Sequence, residues 1–270
     1  MVYKAKKSLG QNFLKSEQAL NTMCVVSDLN SDDTVLEIGP GKGALTKKIL
    51  EKARQVIAIE KDFELISILQ EKFAEEINNR KLILIEGDIL ELQITNYELQ
   101  NYKIIANIPY NITGAILKKF LSDNPKPSSM TLLVQKEVAE RIVARDKKES
   151  ILSLSVKAYG DPTYVMKVHK RFFSPSPKVD SAIITIKNIG ANNFKSKDEE
   201  ELFFKIIKAG FGHKRKILKR NLLDLNYQEV GLPDIVEEIW EKLNLNPKIR
   251  AENVPLETWL KMTGYFLENI

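Results

Sequence analysis

The sequence predicts an α/β domain built on a mostly parallel sheet, followed by a small helical domain. Short β-branched runs alternate with longer stretches of helical periodicity from residue 31 onward, which is the arrangement of a parallel sheet covered by helices. The first run ends in a glycine-rich turn, Gly39-Pro40-Gly41-Lys42-Gly43, immediately before a helical pattern. After Lys187 the β-branched runs stop and helical periodicity continues to the end of the chain.

Taken in order, the strands read Thr34 to Ile38, Gln55 to Glu60, Lys81 to Ile85 and Tyr102 to Ala106, with further candidates at Met130 to Val134, Tyr164 to Val168 and Ser181 to Ile186. A helix is expected from Ala44 to Ala53 behind the glycine turn. The stretch Asn188-Ile189-Gly190-Ala191-Asn192-Asn193 and the acidic cluster Asp198 to Glu201 mark a domain boundary near residue 190, giving domains 1–190 and 191–270. The second domain suits presentation of a surface to a large partner.

Composition narrows the class. The 270 residues, 43% of them hydrophobic, suffice for a full core without staples. Cys24 is the one cysteine, and the two histidines, His169 and His213, are too few and scattered for a zinc cluster. We therefore expect a reducing compartment and no metal. The start, Met1 to Lys7, lacks the apolar stretch of a secretion signal, and no apolar run is long enough to span a bilayer, so the expectation is cytoplasmic with no membrane partner. A net charge of +5 and a pI near 9.0 favour polyanionic partners. From Leu202 to Leu223 seven basic residues, among them Lys214, Arg215 and Lys216, occur without an acidic one.

The glycine turn falls where open α/β folds bind ligands, at the carboxyl edge of the sheet. Lys42 is followed by Gly43 instead of Ser or Thr, so a phosphate-binding P-loop is excluded, while a dinucleotide site is not. Gly39 and Gly41 let the backbone approach a ligand closely. Glu60 closes the second strand, where a carboxylate accepts ribose hydroxyls. Asp88 follows the third, where one accepts an adenine amino group. Together they describe an adenosine pocket without an anion cradle, which fits S-adenosylmethionine.

The fourth strand runs into Asn107-Ile108-Pro109-Tyr110. An adenine N6 lone pair is delocalised into the ring. Acceptors on its two N–H groups, the Asn107 side-chain oxygen and the Ile108 carbonyl, favour a pyramidal nitrogen free to attack. Pro109 biases Ile108 towards extended backbone, and Tyr110 offers a ring for an extruded base. Phe173, on the proline-bracketed loop Phe172 to Asp180, is a candidate for the other face of that base.

These residues resemble the ribosomal RNA adenine N6,N6-dimethyltransferase family, in its small-subunit branch, over essentially the whole chain. The resemblance rests on Lys7 to Leu14, Leu36 to Thr46, Asn107 to Ile112 and Phe173 to Ser181. It implies a Rossmann-like S-adenosylmethionine methyltransferase domain, with Asn12 and Leu14 of an N-terminal arm lining the cofactor site beside Gly39, Glu60, Asp88 and Asn107. It also implies a substrate: two adjacent adenines in a hairpin loop near the 3′ end of small-subunit RNA, each methylated twice late in subunit assembly. A monomer is expected, with C-terminal helices that contact the ribosome. Two departures stand out. Ile108 stands where the family often has Leu. Ala209 to Lys216 carries more glycines than usual, so a helix is expected to break there. Competing readings are a large-subunit RNA adenine methyltransferase of the macrolide-resistance type, a non-catalytic RNA-binding assembly factor and a nucleotide-dependent dehydrogenase.

Overall fold

The computed structural model describes residues 3–93, 99–190, 193–224 and 232–269. Strands and helices follow in the order β1 (Phe13–Leu14), α1 (Glu17–Val26), β2 (Thr34–Ile38), α2 (Ala44–Leu50), β3 (Gln55–Glu60), α3 (Phe63–Lys72), α4 (Ala74–Asn78), β4 (Leu82–Glu86), β5 (Tyr102–Asn107), α5 (Thr113–Ser122), β6 (Ser129–Gln135), α6 (Lys136–Ile142), α7 (Ile151–Lys157), β7 (Asp161–Val168), β8 (Phe173–Ser174), β9 (Ser181–Lys187), α8 (Lys197–Gly210), α9 (Leu218–Leu223), α10 (Leu232–Lys242) and α11 (Leu256–Asn269). None of the described helices is long and apolar enough to cross a membrane.

The chain divides into two compact units, residues 1–139 with 160–190, and residues 140–159 with 191–270. In the first, a seven-stranded sheet has the order β4-β3-β2-β5-β6-β9-β7. The strands from β4 to β6 are parallel; β9 runs antiparallel to β6, and β7, antiparallel to β9, runs with the parallel set again. Strand β2 is buried at every position and β3 at all but its first, which is why these segments read as continuous apolar runs: helices cover both faces of a parallel sheet. Ala19, Leu20, Met23 and Cys24 form the buried face of α1, whose start is fixed by Ser16 accepting the Ala19 N–H at 3.2 Å. Truncating a side chain such as Leu36, fully buried in β2, is expected to cost about 2–5 kcal/mol. The chain leaves β2 towards β3 on one side and returns at β5 on the other, so a crevice opens beyond the carboxyl ends of β2 and β5.

The second unit is helical. Ser196 caps α8 by accepting from the Glu199 N–H, and Asp198, Glu199 and Glu200 of the acidic cluster complement the positive end of that helix. Leu202, Phe203, Ile206 and Ile207 form the buried face of α8, which packs on α11. The helix ends at Gly210, as the glycines suggested. A Cβ there would lie 2.4 Å from the Trp259 ring, and the buried Asn221 amide donates to the Gly210 and His213 carbonyls at 2.6 and 3.1 Å.

Residues 140–159 correct the division at 190, which assigned them to the first domain. Their aromatic end explains it: the Tyr159 ring stacks on Phe204 and meets Phe194 edge-on, each at 6.0 Å, and its hydroxyl bonds Glu200. Helix α2 also stops earlier than expected, at Leu50, and the chain turns through residues 51–53.

Candidate active site

A cavity of about 630 Å³ lies at the crevice, lined by residues from the glycine turn, the ends of β3, β4 and β5, and residues 8–15 of the N-terminal arm. Its size suits a nucleoside-sized ligand. Gly39 and Gly41 have φ of 66° and 59°, a left-handed conformation that only glycine takes without strain. A Cβ on Gly39 would meet nothing within 4 Å and project into open space, whereas one on Gly41 would lie 3.0 Å from the Phe13 ring. The turn is thus bare on one side and roofed by the arm on the other.

Glu60 is buried, and both its oxygens are oriented by backbone donors: Gly41 N–H to Oε2 and Asp62 N–H to Oε1, each at 3.0 Å. Burial raises its pKa, against the lowering effect of those bonds. Asp88 accepts the Leu90 N–H at 2.9 Å and the Lys61 ammonium at 2.6 Å, and Lys61 holds its carboxyl below the usual range. Both carboxylates line the cavity. So does Glu37, whose side chain was not singled out by sequence reasoning. It is 1% exposed, its Oε2 has no hydrogen-bond partner, and burial, reinforced by the nearby Glu60 charge, pushes its carboxyl up to about 8. A buried polar atom left unpaired at a cavity wall marks a place where a ligand donor would be stabilised.

At the other end of the cavity stand Asn107 to Tyr110, with Asn12 and Leu14. The Asn107 amide nitrogen donates to the Asn12 carbonyl at 3.1 Å, so its Oδ1 is turned away from the arm and remains an acceptor. The Tyr110 hydroxyl shares a 2.6 Å hydrogen bond with the buried Ser181 Oγ, which fixes the plane of the ring. The arm itself is held as a strand: β1 pairs antiparallel with β8, Phe13 opposite Ser174 and Leu14 opposite Phe173. Leu14 lines the cavity while also packing in the core cluster.

Phe173 is a correction. It is 4% exposed and packs in the apolar cluster with Leu14, Leu20 and Val168; its neighbour Ser174 lines the cavity instead. Successive side chains on a strand point to opposite faces, and on β8 the phenylalanine takes the core side.

Lys214, Arg215 and Lys216 lie between α8 and α9 in the second unit, all exposed. Lys216 is 3.9 Å from Asp224, and Lys219 of the same basic stretch pairs with Glu237. Besides Glu37, sequence reasoning missed Ser181 as the partner of Tyr110 and the set Tyr3, Lys6, Gln11 and Asp62, which ties the arm to the start of α3. The signal available for Asp62 was its place two residues after Glu60.

Fold and site together define a doubly wound α/β protein with an adenosine-compatible cavity at the switch point of its sheet. Residues 2–267 match the family model described as ribosomal RNA adenine dimethylase. A protein of Fusobacterium nucleatum named ribosomal RNA small subunit methyltransferase A is 38% identical over 98% of this chain and 99% of its own. One of Dehalococcoides mccartyi with the same name is 42% identical over 96% and 87%. Among solved structures, a dimethyladenosine transferase from Plasmodium falciparum is similar with a TM-score of 0.81 and 27% identity, covering 95% of this chain and 98% of that one. The 23S rRNA methyltransferase ErmE gives 0.76 and 26%, covering 94% and 99%. The chain belongs to the ribosomal RNA adenine dimethylase family.

Proposed function

We propose that the protein transfers methyl groups from S-adenosylmethionine to the N6 atoms of two adjacent adenines in a hairpin loop of small-subunit ribosomal RNA, as a cytoplasmic monomer acting on assembling subunits. The observation that carries this reading is a single cavity bordered at one end by Gly39, Glu60 and Asp88 and at the other by Asn107 to Tyr110. Family membership supports the chemistry, and relatives named for the small subunit, at 38 and 42% identity, support that substrate over the large-subunit alternative, at 26%. Family membership disfavours a dehydrogenase, and an intact acceptor at Asn107 argues against a purely binding role.

The residues fit the cofactor. Bare space over Gly39 admits the close approach of its phosphate-free linkage, and Glu60 has lone pairs left for ribose hydroxyls after its two backbone bonds. Asp88, anchored by the Leu90 N–H, faces an adenine amino group, and the unpaired Glu37 oxygen suits the ammonium of the methionine tail. Asn12 and Leu14 close the cavity from the arm side. When bound, S-adenosylmethionine supplies an electrophilic methyl on a sulfonium. On the substrate side, Asn107 Oδ1 and the Ile108 carbonyl take the two N–H groups of the target nitrogen and localise its lone pair, while the Tyr110 ring, steadied by Ser181, stacks on the base. No strong base is required; positioning does most of the work. The exposed Lys214, Arg215 and Lys216 of the helical unit are assigned to RNA phosphates.

Asn107→Ala tests this. It removes one acceptor, and a loss of about 10²–10³ in kcat is expected, with RNA binding largely kept. Unchanged methylation would overturn the assignment of the base site.

A further inference from the structure

The Asp62 side chain has none of its surface exposed to solvent, yet it carries a charge. Three of its partners come from the N-terminal arm. Oδ2 accepts from the Tyr3 hydroxyl at 2.5 Å and the Gln11 amide at 2.8 Å, and Oδ1 accepts from the Lys6 ammonium at 2.7 Å. Gln11 Oε1 accepts the Lys6 N–H at 2.8 Å and lies 2.6 Å from the Tyr3 hydroxyl, whose single proton it shares with Asp62 Oδ2. The fourth donor, the Glu64 N–H at 3.1 Å, makes Asp62 the N-cap of α3. Its own backbone N–H, meanwhile, donates to Glu60 Oε1. One residue therefore grips the arm with its carboxylate and orients the ribose-facing carboxylate with its backbone.

The arm leads directly from that grip into the site. Gln11 is followed by Asn12, whose carbonyl holds the Asn107 amide, and by Phe13, whose ring covers Gly41. We propose that Asp62 is a positioning residue, anchoring the N-terminal arm as a roof over the cofactor cavity and coupling that roof to Glu60. The inference rests on the reading of this cavity as the cofactor site. A buried carboxylate satisfied by a hydroxyl, an amide and an ammonium is a strong anchor, because any opening of the arm leaves a charge uncompensated. A purely structural role at the start of α3 makes a different forecast: Asn is as good an N-cap as Asp, so Asp62→Asn would leave the helix and the cofactor site intact.

The test is calorimetric titration of S-adenosylhomocysteine into the wild type, Tyr3→Phe, Asp62→Asn and the double variant, with trypsin cleavage at Lys4, Lys6 and Lys7 followed in parallel. Each single variant is expected to weaken binding about tenfold, the scale of one hydrogen bond to a charged group. The double variant is expected to be no more than about twofold worse than the weaker single, since both open the same anchor. Cleavage of the arm should accelerate in all three variants, while the folded cores unfold at unchanged temperature. Wild-type affinity in both single variants, or fully additive losses, would overturn the proposal. If the wild type itself binds no S-adenosylhomocysteine, the reading of the cavity fails. The cleavage comparison still decides the anchor in that case: faster cleavage in Asp62→Asn supports it and equal rates refute it.

Discussion

Replacing Glu37 by Gln isolates the effect of the buried carboxyl at the cavity wall, whose Oε2 is unpaired. In the folded protein burial pushes this group up to about 8 from its ordinary 4.5, so the native state keeps it protonated through neutral pH while the unfolded chain releases the proton. The folded-state value is the raised one, so the group is neutral in both states below pH 4.5 and costs nothing there. Stability is lost as pH rises from 4.5 towards 8. One unit corresponds to about 1.36 kcal/mol, which gives a loss of roughly 3–4 kcal/mol between pH 5 and 8 from this group alone. Gln keeps the shape and cannot ionise, so the variant should lack that slope while other titrating groups cancel in the comparison. Both tryptophans, Trp240 and Trp259, lie in the second unit, so their fluorescence is the wrong probe. Hydrogen exchange of the β2 and β3 amides at several urea concentrations, at pH 5 and pH 8, reads the first unit directly. Parallel pH dependences in wild type and variant, differing by a constant, would refute the reasoning. A second readout follows from the ligand: binding of S-adenosylhomocysteine at pH 7 should release close to one proton from the wild type as its ammonium ionises Glu37, and none from the variant.

Gly210→Ala sets two effects against each other. Helix propensity alone would stabilise by up to about 1 kcal/mol, but the added methyl lands 2.4 Å from Trp259 and 2.9 Å from Leu218, and overpacking of that kind costs about 1–3 kcal/mol. A lowered denaturant midpoint by Trp fluorescence is expected, and a raised one would show that the packing is looser than described. For the exposed pair, Lys214→Ala and Arg215→Ala should each weaken RNA binding and reduce the log–log salt slope by about 1. A slope unchanged in both would return these side chains to a solvated surface.

The sheet was legible because its central strands are buried on both faces, which forces contiguous β-branched runs at Thr34 to Ile38 and Gln55 to Glu60 that hydrophobic patterning detects. Asn107 and Glu60 were legible for a related reason: each polar residue ends such a run, at the edge where a parallel sheet presents its ligand. What was not legible is held by contacts remote in sequence. Strands β1 and β8 have two residues each, too few for a pattern, and exist only through each other. The arm partners of Asp62 lie 51 to 59 residues away, in a segment of unremarkable composition. Phe173 illustrates the limit of motif reasoning, since its neighbours fixed its place in the loop while strand alternation decided which way the ring faced. Residues 140–159 carry no compositional mark of their membership in the helical unit. That follows from where the Tyr159 ring packs.

The most direct test of the proposed activity is to incubate the purified protein with radiolabelled S-adenosylmethionine and undermethylated small ribosomal subunits, with large subunits in parallel, and to identify the labelled nucleoside by mass spectrometry. N6,N6-dimethyladenosine from the small subunit alone is the expected result. Label in the large subunit, or none in either despite cofactor binding, would contradict it.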